Sequence, residues 1–298
     1  MQIGFIGLGK MGYNMVLHLL KNGKKVAVYN RSPEKVKAIS KEGAIGTYSI
    51  KELTEKLKSP RIIWLMVPHQ VVEDVIKEVL PHLNKGDIIV DGGNSNYKES
   101  ERRAAELKKK GISYLDVGVS GGLAAAQSGY CMMAGGEPET FKRVEPFIKS
   151  MCVPNGYGHF GKNGSGHYVK MAHNAIEYGI MQAMGEGYDL IKKGPYKDVD
   201  LLKLSNVWNN GSIIRSFLLE MAINAFEHHP DMKDVKGLIP DNGEGLWAVQ
   251  ESLDYKVPFT VNTYALMARF RSRQANTYSD KVVSALRDEF GGHGVAKK

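Results

Sequence analysis

Cysteine is almost missing from this chain: Cys131 and Cys152 are the only two in 298 residues, and they form no C-x-x-C pair. That excludes a disulfide framework and a thiolate zinc site, and it suits a reducing compartment. Long apolar runs are missing too. The N-terminal stretch Ile3 to Leu8 is too short for a signal h-region and leads into a glycine motif, and no segment reaches the roughly twenty apolar residues that span a bilayer. Secretion and membrane insertion are not expected, and a cytoplasmic location is. Blocks of like charge are also absent, although 40 Lys and Arg exceed 32 Asp and Glu for a net charge of +8. With no nucleic-acid module beside it, the excess reads as a preference for small anionic ligands.

What remains is an ordinary globular composition, 43% hydrophobic and 24% charged, in a chain long enough for two cores. From Met1 to about Phe160, short apolar runs (QIGFIG, VAVYN, RIIWLMV, DIIVDGG, SYLDVGV) alternate with amphipathic stretches such as SPEKVKAISKEG. That alternation predicts βαβ units and a parallel sheet. From about Lys162 the pattern turns helical, notably over Val169 to Lys192 and Leu201 to Phe226, with no convincing strand. The expected fold is an α/β Rossmann-type doubly wound sheet over residues 1–162, followed by an all-helical domain over 163–298. The boundary is set at GKNGSG, Gly161 to Gly166. Helices with this much apolar surface also predict a homodimer or homotetramer.

The first strand runs into GLGKMG, where Gly7, Gly9 and Gly12 have dinucleotide-binding spacing ahead of a helix with a glycine stop at Gly23. The first glycine makes a tight turn, the second admits a pyrophosphate, and the third allows close helix packing. Leu8, Lys10 and Met11 in the same loop, and Val67 and Pro68 at the end of RIIWLMV, join them as cofactor contacts. The second strand ends at Asn30, followed by Arg31 and Ser32, where an NAD enzyme ordinarily carries Asp or Glu for the ribose diol. Without that carboxylate, Arg31 can face a 2′-phosphate and Ser32 can hydrogen-bond it, which points to NADP, with NAD second. The alternative, a solvated Arg31, leaves the ribose end without polar recognition.

The run GHYVKMAHNAIEYGIMQAMGEGYDL reads as one helix. Lys170, His173, Asn174, Glu177 and Tyr178 stand on it at i, i+3, i+4, i+7 and i+8, hence on one face. The opposite side carries Val169, Ala172, Ile176, Ile180 and Ala183, an apolar surface for packing. A solvated face is the ordinary explanation of a polar stripe. This one mixes an amine, an imidazole, an amide, a carboxylate and a phenol, which suits a substrate site better. DGGNS (Asp91 to Ser95) and GVSGG (Gly118 to Gly122) follow strands where a ligand crevice opens, although plain glycine turns explain them equally well.

With these residues assembled, the chain resembles the 6-phosphogluconate dehydrogenases over nearly its whole length, in a short form with one helical unit. The resemblance is carried by IGLGKMG, NRS, IIVDGGNS, GVSGG, GHYVKMAHNAIEYG and the C-terminal FGGH, of which VKMAHNAIEYG is the most specific. It implies oxidative decarboxylation of 6-phosphogluconate to ribulose 5-phosphate and carbon dioxide, with NADP or NAD as hydride acceptor. Lys170 would then be neutral when substrate binds, take the proton of the 3-hydroxyl and return it to the carbonyl oxygen during decarboxylation; Glu177 would protonate C1 of the enediol. By the same resemblance Ser120, Gly121, Gly122, His173 and Asn174 hold the carboxylate and hydroxyls. Asn94 lies where cofactor and substrate meet, and Tyr178 reaches the phosphate. No metal is expected, since general acid catalysis suffices for a β-keto acid and the nine histidines form no ligand cluster.

The sequence departs from the family pattern in two places. Where a basic residue commonly precedes the tryptophan of a GxG-basic-W motif, this chain has GEGLW with Leu246; Arg269, Arg271 and Arg273 of ARFRSR are candidates to replace that phosphate contact. The long relatives also carry a tail past FGAH into the neighbouring subunit, whereas here six residues follow Gly292, with His293 the one candidate to reach a partner. The competing expectation is a non-decarboxylating dehydrogenase for a small unphosphorylated hydroxy acid, of the 3-hydroxyisobutyrate or tartronate semialdehyde type. Leu246 argues for it; Glu177 and the His173–Asn174 pair argue against it. A third reading, a non-catalytic dinucleotide sensor, conflicts with the presence of both Lys170 and Glu177.

Overall fold

The computed structural model describes residues 2–292 and 294–296, so the expectation attached to His293 lies outside the described residues. The chain divides into two compact units, Met1–His173 and Asn174–Lys298. In the first, the apolar runs form an eight-stranded sheet: β1 (Gln2–Ile6), β2 (Lys25–Tyr29), β3 (Ile45–Thr47), β4 (Ile62–Leu65), β5 (Ile88–Asp91), β6 (Ser113–Ser120), β7 (Tyr130–Gly136) and β8 (Cys152–His159). Their order is β3-β2-β1-β4-β5-β6-β7-β8. Neighbours are parallel except β6 and β7, which run antiparallel. Between them lie α1 (Lys10–Lys21), α2 (Pro33–Ser40), α3 (Ile50–Glu55), α4 (Val72–Val79), α5 (Tyr97–Lys109), α6 (Ala125–Ser128) and α7 (Pro138–Met151).

Strand alternation divides the core into two layers. Ile3, Phe5, Val26, Val28, Trp64 and Val90 point toward α1, α2 and α7, meeting Met15, Leu19, Val36 and Phe147. Ile6, Ala27, Ile63, Leu65 and Ile89 point the other way, against Leu53, Val72, Ile76 and Leu107 of α3, α4 and α5. Truncating one such fully buried Leu or Ile to Ala costs about 2–5 kcal/mol. The doubly wound sheet expected from the sequence is therefore present, and β1 and β4 mark the point where strand order reverses, with the ligand crevice at their carboxyl ends.

Five of the eight strands follow the apolar runs read from the sequence. The others carry weak signals: β3 is three residues long, β7 ends in Ala-Gly-Gly, and β8 contains Pro154, a left-handed Asn155 and two glycines. β3 and β8 are the two edges of the sheet, where such residues, which otherwise signal a loop, are tolerated.

The second unit contains most of the long α8 (Ser165–Lys193), with α9 (Leu201–Asn209), α10 (Phe217–His228), α11 (Glu244–Asp254), α12 (Thr260–Ser272) and α13 (Tyr278–Gly291). No strand lies in this unit among the described residues. The pattern from Leu201 to Phe226 is two helices, because Gly211 takes φ +114° and Ser216 caps a new start by accepting from the Leu219 N–H. Asp200 does the same for α9, and Thr277 with Asp280 makes a reciprocal capping box on α13. No helix among the described residues is long and apolar enough to cross a membrane.

One expectation about α8 is reversed. Its apolar side was expected to pack, yet Ile176 and Ile180 are 57% and 44% exposed, while Lys170, Asn174 and Tyr178 of the polar stripe are buried. These three side chains are buried against polar partners: His173 for Lys170, Glu244 for Asn174 and Asn242 for Tyr178.

Candidate active site

At the carboxyl end of β1 the chain must turn sharply, and only glycine suits the turn. Gly7 has φ +103°, and a Cβ there would lie 2.3 Å from the Met66 carbonyl oxygen. Gly12, on α1, lies so close beneath the turn that a Cβ would sit 2.2 Å from the Gly7 oxygen. At Gly9 a Cβ would meet nothing within 4 Å, and no side chain caps the first turn of α1. Open space before uncapped helix N–H groups fits a dinucleotide pyrophosphate.

Asn30 braces this loop. Its Oδ1 accepts from the Leu8 N–H at 2.8 Å and its Nδ2 donates to the Ser32 carbonyl at 3.2 Å. Arg31 is exposed and makes no hydrogen bond or ion pair among the described residues, and the Ser32 hydroxyl does not cap α2. Val67 and Pro68 follow β4.

Further along the same edge, Asp91 ends β5 fully buried. It accepts hydrogen bonds from the Gly93 N–H (3.0 Å), Ser95 Oγ (2.7 Å) and Tyr114 OH (2.9 Å), with Arg103 at 3.5 Å. These bonds shape the Gly92–Ser95 turn and set half-buried Asn94 in it. Burial, with the Asp91 charge second, pushes the Tyr114 phenol well above its ordinary range, so it stays a donor.

Ser120 ends β6, and beyond it Gly121 (φ +119°) and Gly122 (φ +55°) turn the chain toward α6. The Ser120 Oγ lies 3.1 Å from His173 Nε2, and His173 Nδ1 lies 3.3 Å from Lys170 Nζ. Serine, imidazole and amine thus form one hydrogen-bonded chain. Lys170 is 6% exposed, its root pressed against Gly118 of β6.

The second unit has its own polar cluster. Asn174 Nδ2 donates to the buried Glu244 carboxylate. The Tyr178 hydroxyl donates to Asn242 Oδ1 at 3.0 Å, and the Arg269 guanidinium lies 3.6 Å above the Tyr178 ring while donating to the Pro240 carbonyl. Burial raises the Tyr178 phenol, so it too stays a donor. Arg273 donates to the Ile239 carbonyl and pairs with Asp241 at 2.8 Å. Arg269 and Arg273 therefore hold the loop that leads into α11, close to Tyr178. Arg271 instead pairs with Asp280, and Leu246 is 38% exposed on α11.

Asp91, Asp116, Glu244, Asn242 and Asp241 are missing from the sequence-based candidates. For Asp91 and Asp116 a signal existed: each is a carboxylate inside an apolar strand. For Asp241, Asn242 and Glu244, at and just before the start of α11, there was none.

Two family models match the chain: the NAD binding domain of 6-phosphogluconate dehydrogenase over residues 2–159, and the 6-phosphogluconate dehydrogenase C-terminal domain over residues 166–281. YqeC of Bacillus subtilis (strain 168), named for 6-phosphogluconate dehydrogenase, is 44% identical over the full length of both chains. The NAD(+)-dependent, decarboxylating 6-phosphogluconate dehydrogenase of Haloferax volcanii is 42% identical, with all of this chain and 99% of that one covered. Among solved structures, Plasmodium falciparum 6-phosphogluconate dehydrogenase, studied apo, with NADP+ and with 6-phosphogluconate, aligns with a TM-score of 0.83 at 32% identity. The alignment takes in all of this chain and 66% of that longer one.

Proposed function

The chain belongs to the 6-phosphogluconate dehydrogenase family, and on that footing we propose that it oxidises and decarboxylates 6-phosphogluconate to ribulose 5-phosphate and carbon dioxide, reducing NADP or NAD. The observation that carries this reading is the buried Lys170 amine, linked through His173 to Ser120, on a helix that presents Glu177 two turns further along.

Gly7, Leu8, Gly9, Lys10, Met11 and Gly12 hold the pyrophosphate. Asn30, Arg31 and Ser32 receive the adenosine ribose with its 2′-phosphate, and Val67, Pro68 and Asn94 border the cofactor. When bound, the nicotinamide supplies the acceptor for the hydride that leaves C3. Lys170, buried and hydrogen-bonded to His173, takes the 3-hydroxyl proton as general base. The resulting ammonium donates to the C3 carbonyl oxygen while the C1–C2 bond breaks and its electron pair moves toward that oxygen. Glu177 delivers a proton to the enediol carbon that carried the carboxylate. Ser120, Gly121, Gly122, His173 and Asn174 hold the carboxylate and hydroxyls. Tyr178 with Arg269 and Arg273 receives the phosphate, a role Arg suits by its planar fork.

Residues 1–162 serve as the cofactor half in this reading and 163–298 as the substrate and assembly half. The exposed Ile176 and Ile180 support a homodimer or homotetramer that covers them. A cytoplasmic location goes with the reaction. The apolar Leu246 favours a second reading, a smaller unphosphorylated hydroxy acid. A panel of 6-phosphogluconate, gluconate, 3-hydroxyisobutyrate and glycerate with either cofactor separates the two: reduction with 6-phosphogluconate alone supports the first reading, and preference for an unphosphorylated acid overturns it.

A further inference from the structure

Helix α8 begins without a local cap. Gly164, which precedes it, has no side chain, and the Asn163 amide donates elsewhere, to the Tyr114 carbonyl at 2.7 Å. The first N–H groups of a helix need acceptors all the same. Here a strand supplies them: Asp116 Oδ1 accepts from the Gly164 N–H at 2.7 Å and Oδ2 from the His167 N–H at 3.0 Å, across 48 and 51 residues of sequence. One fully buried carboxylate does what a capping box does with two side chains.

Two further contacts fix the seat. The backbone at Gly166 lies so close to β6 and β7 that a Cβ there would stand 2.5 Å from the Met133 oxygen and 2.6 Å from the Asp116 oxygen. The His167 ring pairs with Ser100 of α5, Nδ1 to Oγ at 2.7 Å, and so opposes rotation of the helix about its axis. Lys170 lies one turn beyond this clamp, its Cβ over Gly118, the next residue after Asp116 on the same face of β6.

We propose that Asp116 is the positioning residue of the catalytic lysine: by holding the Gly164 and His167 N–H groups it sets the height and rotation of α8, and with them the Lys170 amine beside His173. The proposal rests on the reading of Lys170 as the base. It gives the buried carboxylate a task that packing alone does not require, since a neutral apolar residue would fill the same space.

The test compares Asp116→Asn, Asp116→Ala and Lys170→Ala in the full-length enzyme with NADP and 6-phosphogluconate. Asn keeps one acceptor and turns an N–H₂ toward the other backbone donor. Asp116→Asn is expected to lower kcat by about tenfold to a hundredfold, the scale of a misplacement of about 1 Å. It should leave the cofactor dissociation constant unchanged and raise the primary isotope effect with 3-deuterated substrate; Asp116→Ala should go further. Wild-type kcat and isotope effect in Asp116→Asn would overturn the proposal. So would parallel losses of kcat, cofactor affinity and melting temperature, which mean a general folding defect. If Asp116→Ala does not fold, Asp116→Asn decides. An active Lys170→Ala would instead overturn the reading of the base, which separates the two failures.

Discussion

Gly118→Ala tests how tightly the lysine is held. The added methyl would lie 2.3 Å from Lys170 Cβ and 2.8 Å from its Cγ, with the Gly166 carbonyl oxygen at 3.1 Å. Carbon atoms in contact prefer about 3.5–4.0 Å, so a movement of about 1.2 Å or more is required. Gly118 is not among the glycines with positive φ, so alanine suits its backbone and the effect is steric. The clamp at Asp116 restrains the start of α8, which leaves the displacement to the root of Lys170. Overpacking of this kind costs about 1–3 kcal/mol of stability, or about 2–4 °C in melting temperature per kcal/mol for a domain of this size. A misplacement of about 1 Å costs about a hundredfold in rate. Steady-state reduction of NADP by 6-phosphogluconate reads the rate, and cofactor titration by fluorescence reads the other site. The expected result is a large fall in kcat with unchanged cofactor affinity; wild-type kcat in a folded Gly118→Ala protein would show that the position of Lys170 is not set by its contact with β6.

Lys170→Ala should abolish hydride transfer yet bind cofactor normally, because Gly7, Gly9 and Gly12 are untouched; single-turnover absorbance with a binding titration checks both. Arg31→Ala should weaken NADP by about ten- to a hundredfold, the value of a charge-assisted hydrogen bond of about 1.5–3 kcal/mol, while NAD is little changed. Equal losses for both cofactors would remove Arg31 from 2′-phosphate recognition. Ile176→Glu combined with Ile180→Glu should reduce the assembled species seen by sedimentation to monomer, since two carboxylates would have to be buried without partners.

The sheet, the glycine turn and the polar stripe of α8 were legible because each rests on spacing within a short stretch of chain. Gly7, Gly9 and Gly12 do their work within six residues, and Lys170 to Tyr178 within nine. What was hidden depends on distant partners. Asp116 meets Gly164 and His167 only after the chain has crossed β7, α7 and β8. Glu244 meets Asn174 across 70 residues. The exposure of Ile176 and Ile180 was hidden for the same reason: an apolar face reads as packed until its surroundings are known. Arg269 was legible as a candidate phosphate contact, but its stacking on Tyr178 was not, because the two stand on different helices.

In the proposed reaction one chain couples oxidation at C3 to loss of C1, with Lys170 as base and Glu177 as the acid. The direct measurement follows 6-phosphogluconate labelled with carbon-13 at C1 by NMR in deuterated water, alongside cofactor reduction. One labelled carbon dioxide per reduced cofactor and one solvent deuteron at C1 of ribulose 5-phosphate are expected, with both the carbon dioxide rate and the deuteron incorporation depressed in Glu177→Gln. Reduced cofactor without labelled carbon dioxide would show that oxidation is not coupled to decarboxylation.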